Sequence, residues 1–245
     1  MRLLLVLVHE PIPGLVLPSL TAELSAEKAC DYYKAMIEVM LRQLRGLEKC
    51  RIRFCYTPAD AGDALKFWLL PKMDANSSNE ANLYHVPPST PEEPAQEVDF
   101  RSIGNKITTE GLGKAFAEGF EDGFDQIGAL DPTCLECGAR WINAAFSRLH
   151  PETNRDVIIG PNHEGRYYFL AMKSNTPELF AGLSWNSPSL LSETQTAAVQ
   201  AKREVELLPP LMNTSKAQDW QAMMESPLGA ALRKAIGEPL DDMRL

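Results

Sequence analysis

The chain opens Met1-Arg-Leu3-Leu-Leu-Val-Leu-Val8-His9-Glu10-Pro11-Ile-Pro-Gly14, an apolar run from Leu3 to Val8 cut off by two prolines and a glycine. An apolar run of this length with no polar alternation predicts a parallel strand covered on both faces. It is far shorter than a bilayer-spanning helix, and no small-residue cleavage site follows it to mark a signal peptide. After this strand the period changes. Ser25 is placed to cap a helix in which Ala29, Tyr32, Tyr33, Met36, Met40 and Leu44 recur at three- and four-residue intervals, ending at Gly46.

The alternation of strand and helix continues outward. Arg51 to Tyr56 predicts a second strand, and residues 59–70 a short helix with Phe67 and Trp68 on its buried side. Residues 71–96, rich in Pro, Ser and Asn, read as an irregular excursion around one short strand at Leu83 to Val86. Helices are expected at 108–120, 135–149, 189–203 and 227–236, with a turn of helix at 177–180. Strands are expected at 124–130, 156–159, 167–172 and 204–208, and a tail after 220. This order predicts a single domain, a three-layer α/β/α sandwich with a mostly parallel sheet. Ligands in such sheets sit beyond the carboxyl ends of the strands. Residues 9–20, 57–60, 130–134 and 160–166 are therefore where a site is expected.

Composition narrows the function classes. Twenty-four Lys and Arg stand against 33 Asp and Glu, a net charge of -9, which disfavours a nucleic-acid partner. The one basic group, Arg42, Arg45, Lys49, Arg51 and Arg53, reads as a solvated helix end. Five scattered cysteines suit a reducing cytosol rather than a disulfide framework. Cys134 and Cys137 have redox or zinc spacing, but no second pair or neighbouring histidine completes four ligands, so they read as two small apolar residues. No stretch is apolar and long enough to enter a membrane. The glycine fingerprint of a dehydrogenase and the Walker loop are absent. Residues 71–96 and the tail are the candidate contacts of a homodimer.

Four stretches together carry a resemblance: Glu10-Pro-Ile-Pro-Gly14, Tyr56-Thr-Pro58, Gly160-Pro-Asn-His-Glu-Gly-Arg-Tyr-Tyr168 and Leu179-Phe-Ala-Gly-Leu-Ser-Trp185. On these the chain resembles a bacterial glycosyltransferase-like family with the GT-A (nucleotide-diphospho-sugar transferase) fold, related to nucleotidyltransferases of the phospholactate guanylyltransferase type. The resemblance implies a nucleotide or nucleotide sugar held over the carboxyl edge. His9, Pro11, Gly14, Gly104, Gly160, Pro161, Gly165, Arg166 and Trp185 would contact it, with Asp131 and Glu164 in the catalytic positions. Asp131 would also be the metal ligand. Two registers compete at that motif: one anchored on Leu135 selects Asp131, the other, anchored on Gly128 and Pro132, selects Leu130.

The departures from the family pattern bear on activity. Cations expected after the first strand are replaced by His9, Leu17 and Ser19; Arg166 replaces a glycine; and an acidic D-V-D-T motif reads Asn213-Thr-Ser215-Lys216, with Asp219 kept. A divalent ion prefers carboxylates to amides and hydroxyls. The expectation is no tight metal site in the free protein, with Mg²⁺ or Mn²⁺ required only if the ancestral transfer persists. Three functions stay open: a nucleotide-diphospho-sugar transferase, a non-catalytic protein of the same fold binding a ligand or protein, and a nucleotidyltransferase.

Overall fold

The structure is a computed structural model that describes residues 1–21, 23–75 and 97–237. Its strands are β1 (Arg2–His9), β2 (Cys50–Thr57), β3 (Val98–Ser102), β4 (Gln126–Leu130), β5 (Val157–Pro161), β6 (Tyr167–Met172) and β7 (Val205–Leu207). Helices α1 (Ala26–Gln43), α2 (Gly62–Ala75), α3 (Thr109–Glu121), α4 (Ala139–Arg148), α5 (Leu190–Gln200), α6 (Ala217–Glu225) and α7 (Gly229–Ile236) alternate with them, with a 3-10 turn at Pro177–Leu179. The expected helix starts hold where a side chain enforces them. Ser25 accepts from the Lys28 amide and Thr108 from the Gly111 amide.

The described strands form one sheet in the order β3-β2-β1-β4-β6-β5-β7. β1 runs parallel to β2 and β4, and β2–β3 and β5–β7 are also parallel. Only β6 runs the other way, antiparallel to β4 and β5. The turn between β5 and β6 therefore emerges at the same edge as the carboxyl ends of β1, β2, β4 and β7.

The continuous apolar β1 has the physical role its sequence predicts. Leu4, Val6 and Val8 join a core with Met36, Ile37 and Phe146, while Leu3, Leu5 and Leu7 join a separate core with Leu112, Phe116 and Leu190. Successive side chains point to opposite faces, and helices cover both. Each such leucine, fully buried, stabilises the fold by about 1.5–3 kcal/mol.

Several elements differ from expectation. α2 continues through Pro71 to Ala75, so the first residues of the expected excursion are helical. The helix turns Leu65 and Leu69 inward; Phe67, two residues from each, faces out at 85% exposure rather than being buried. Trp68 is half-buried against Tyr33, with ring centroids 6.4 Å apart. α4 begins at Ala139, because residues 131–138 form successive turns that hold Cys134 and Cys137 as buried free thiols. β3 and α6 have too little apolar periodicity to stand out in sequence. The helix expected at 227–236 is α7, and the unexpected α6 precedes it: Trp220 of α6 stacks on Tyr32 of α1 with centroids 4.1 Å apart. The strand expected at Leu83–Val86, with His85, and the rest of the 76–96 segment lie outside the described residues.

Candidate functional site

β1 delivers His9 to the carboxyl edge. Its backbone amide donates to the Tyr33 hydroxyl at 2.8 Å, and its Nδ1 lies 2.7 Å from the Thr57 hydroxyl at the end of β2. Burial pulls the His9 pKa below the ordinary value, against the opposing charge of Asp131. The imidazole thereby favours its neutral form more than an exposed histidine does.

One strand over, Leu130 is fully buried in the core and Asp131 follows it. The Asp131 amide donates to the Tyr168 carbonyl at 2.9 Å, which ties the residue to the start of β6. Asp131 Oδ1 accepts from the Thr133 amide at 3.0 Å and the Thr133 hydroxyl at 2.8 Å; Oδ2 accepts from Asn213 Nδ2 at 2.8 Å. Asn213 Nδ2 also donates to Thr133 Oγ1 at 2.8 Å, and the Thr214 amide donates to the Thr133 carbonyl at 2.8 Å. The Asp-Pro-Thr sequence makes its own polar turn, and the 213–214 segment closes it.

The β5–β6 turn is built the same way. Asn162 Oδ1 accepts from the backbone amides of Glu164 at 3.0 Å and Arg166 at 2.9 Å. Those bonds hold the Glu164 and Arg166 side chains together, with Arg166 Nη2 donating to Glu164 Oε2 at 2.5 Å. The other carboxylate oxygen pairs with the Lys216 ammonium. Burial raises the Glu164 pKa, but the bonds from Lys216 and Arg166 outweigh it and hold the carboxyl below its ordinary value. Nearby Asp219 moves up, through burial first and the Glu164 charge second.

The glycines and prolines have separable roles. Gly165 has a φ of +75°, and an added Cβ would lie 1.8 Å from the Pro188 carbonyl oxygen. At Gly160 the added atom would meet the Tyr168 ring at 2.4 Å, so that glycine makes room for a protein side chain. The Pro161 carbonyl accepts from the Leu211 amide at 3.2 Å, and the Pro11 carbonyl from the Cys30 thiol at 3.0 Å. Gly14 turns the loop after β1 at a φ of +84°.

Not every expected residue converges. Gly104 follows β3, one strand beyond Thr57 of β2 and two beyond His9 of β1, on the side of the sheet away from Glu164. Trp185 packs edge-on against Tyr167, centroids 5.8 Å apart, as part of the core face beyond the sheet. Leu17 is buried in the core. His9 feels the charge of Asp131 and bonds Thr57, Glu164 pairs with Arg166 and Lys216, and the 213–216 segment links Asp131 and Thr133 to Glu164 beside Asn162. Lys216 was legible only as the last position of a vanished acidic motif; Asn162 and Thr133 carry turn chemistry that a search for ligands passes over.

As the side chains stand, the donors around the two carboxylates oppose a divalent cation, while Asn213 Oδ1 is a buried acceptor with no partner among the described residues. Asp131 is met by an amide N–H, Glu164 by an ammonium and a guanidinium, and a donor cannot be a metal ligand. Among the described residues no three His, Cys, Asp or Glu side chains are grouped to hold a metal.

Known proteins place this geometry in context. Residues 95–187 match the family model described as an uncharacterized protein conserved in bacteria (DUF2064). No curated protein matches the chain. Among solved structures, the chain is similar to a protein of Desulfovibrio desulfuricans G20 provisionally named a nucleotide-diphospho-sugar transferase. That pair has a TM-score of 0.74 and 21% identity over 96% of each chain. It is also similar to 4-diphosphocytidyl-2C-methyl-D-erythritol synthase of Anaerococcus prevotii DSM 20548, with a TM-score of 0.55 and 8% identity over 92% of this chain and 96% of the other. A third likeness is to a Pyrobaculum calidifontis mannosyltransferase in complex with GDP-Man and Mn²⁺, with a TM-score of 0.53 and 9% identity over 91% of this chain and 59% of that one. The fold is thus shared with these three proteins, and most fully with the nucleotide-diphospho-sugar transferase-like one. Among the described residues no helix is long and apolar enough to cross a membrane.

Proposed function

We propose that this chain is a nucleotide-diphospho-sugar transferase-type protein that binds a nucleotide or nucleotide sugar at the carboxyl edge without the metal-assisted transfer step. One observation carries the reading: a single short segment, residues 213–216, occupies both candidate carboxylates. Asn213 donates to Asp131 and Lys216 pairs with Glu164. A divalent cation would need those carboxylate oxygens as ligands and would be repelled by the ammonium beside them. Arg166 and Lys216 leave positive charge at the place where a diphosphate is expected to lie, and such charge favours phosphate by charge-assisted hydrogen bonds. Five free thiols support a reducing compartment for the protein.

A second reading keeps the reaction. Lys216 and Arg166 would then neutralise the leaving diphosphate in place of a metal, as fixed cations at developing charge do. A nucleotidyltransferase that works without metal would use the same pair.

The test is thermal unfolding with CTP, GDP, UDP-glucose and GDP-mannose, each with Mn²⁺ and with EDTA, followed by product analysis. The expected result is a saturable rise in melting temperature with at least one nucleotide, unchanged by EDTA, and no product. Binding that requires Mn²⁺ overturns the reading, and metal-independent turnover selects the second one. A ligand that saturates at a hundred times its Kd stabilises by about 2.7 kcal/mol, well within reach of the method.

A further inference from the structure

A cavity of about 1030 Å³ opens at the opposite, amino edge of the sheet. Its floor is set by the starts of β1 and β4, where Arg2 Nε donates to Gln126 Oε1 at 3.2 Å and Gln126 Nε2 donates to the Phe146 carbonyl at 3.0 Å. Arg2 also lies over the Phe146 ring, 5.5 Å from its centroid. Buried Phe124 and Leu149 supply apolar wall. The volume is at the upper end of ordinary small-molecule sites.

Charge at the rim runs against the rest of the molecule. The chain as a whole carries -9, yet Arg2, Lys49, Lys173 and Arg203 all line this cavity. The acids there are mostly engaged. Asp156 accepts from the Glu204 amide at 3.0 Å and pairs with Lys173 at 3.4 Å, and Asp125 pairs with the terminal amine; Glu48 stays exposed. Lys49 and Arg203 have no ion-pair partner among the described residues, and Arg203 Nε is enclosed without an acceptor.

Left-handed backbone occurs at Lys49 and at Lys202, the residue before Arg203, where it ends α5. Lys49 has a φ of +49°, and Lys202, which presents Arg203 at the end of α5, a φ of +55°. Of the three non-glycine residues with positive φ among the described ones, these two flank the cavity.

We propose that this cavity is a second ligand site, for a small molecule joining an anionic phosphate or carboxylate head to an apolar ring, with Arg203 as the principal contact of the head and Lys49 as an auxiliary one. The planar guanidinium fork suits either head group, and Phe124 and Leu149 suit the ring. The inference stands on residues that the carboxyl-edge site does not use.

Amide chemical shifts of the full chain, titrated with phenyl phosphate, benzoate and inorganic phosphate, test it. The expected result is saturable shifts around Gln126, Ser174 and Arg203 with phenyl phosphate or benzoate, whichever head the site prefers, at least tenfold tighter than with inorganic phosphate. Arg203→Gln weakens that binding at least tenfold and exposed Lys49→Gln severalfold, while Arg166→Gln at the other edge leaves it unchanged. No saturable shift with either ring compound at millimolar concentration overturns the site. Equal binding of inorganic phosphate overturns the apolar part of the ligand. Binding insensitive to both Arg203→Gln and Lys49→Gln overturns the anion contacts; if Arg203→Gln fails to fold, Lys49→Gln decides alone.

Discussion

Asn213 and Asp131 are 82 residues apart in the chain, and the amide of one donates to the carboxylate of the other at 2.8 Å. The amide stands where the resemblance leads one to expect a carboxylate, and it reverses the local chemistry. Two carboxylates in this place would repel unless a cation lay between them; an amide and a carboxylate attract. The site is stable as it is because Asp131 has donors on both oxygens.

Asn213→Asp restores the ancestral charge and tests this directly. With the donor gone and a second carboxylate facing Asp131, one of the two should titrate well above the usual range. Stability should fall by about 2–3 kcal/mol at neutral pH, a loss of roughly 4–12 °C in melting temperature. Added Mn²⁺ should recover part of the loss in the variant and do nothing for the wild type. A variant as stable as wild type, or a wild type equally stabilised by Mn²⁺, contradicts the donor reading of Asn213.

The pH dependence follows from two acids that move in opposite directions. Glu164 is held below its ordinary pKa in the fold, so its contribution is present above the unfolded value and is lost as pH falls through the folded one. Lys216→Met should therefore move the acid limb of the stability curve to higher pH. Asp219 is raised, so its ionised form disfavours the fold; that cost grows as pH rises through its folded pKa. Asp219→Asn should raise the melting temperature at pH 7 and change it little in acid. Melting curves between pH 3 and 8 check both directions, and an acid limb unmoved by Lys216→Met counts against the ion pair.

The architecture was legible because β1 and α1 announce themselves by local pattern. A run buried on both faces has no polar alternation, and the α1 stripe is long enough to average out noise. Phe67 is exposed despite its size, because only the angular position relative to Leu65 and Leu69 separates a core residue from an exposed one on this helix. β3 stayed hidden because Val98–Ser102 sits at the sheet edge with an acid and an arginine in it. At the site, Asp131, Glu164 and Arg166 could be found by motif. That Lys216 would pair with Glu164 could not, since the pairing depends on where α6 docks.

Two glycines with similar dihedral angles should respond differently to alanine. Gly14 and Gly165 have φ of +84° and +75°, but an added Cβ has open space at Gly14 and meets the Pro188 carbonyl at Gly165. Gly14→Ala should cost about 1–2 kcal/mol, the left-handed penalty alone. Gly165→Ala adds a backbone collision and should cost roughly 4 kcal/mol or more. Denaturant midpoints measure both, and equal losses would mean that the 165–188 contact is not as close as described.

Trp220 should control Lys216 from a distance. The indole is stacked on Tyr32, with ring planes 11° apart, and its backbone amide makes the first bond of α6, to the Lys216 carbonyl at 2.9 Å. The stack therefore fixes the turn that holds the ammonium on Glu164. Trp220→Ala removes a nearly buried aromatic and should cost about 3–5 kcal/mol, roughly 10 °C in melting temperature. More specifically, Lys216→Met should shift the acid limb in the wild-type background and much less once Trp220 is gone, because Glu164 has already lost its partner. Tyr32→Ala should reproduce a smaller version of the same effect. Equal shifts with and without Trp220 would mean that Lys216 reaches Glu164 without the help of α6, and the anchoring role assigned to the stack would be wrong.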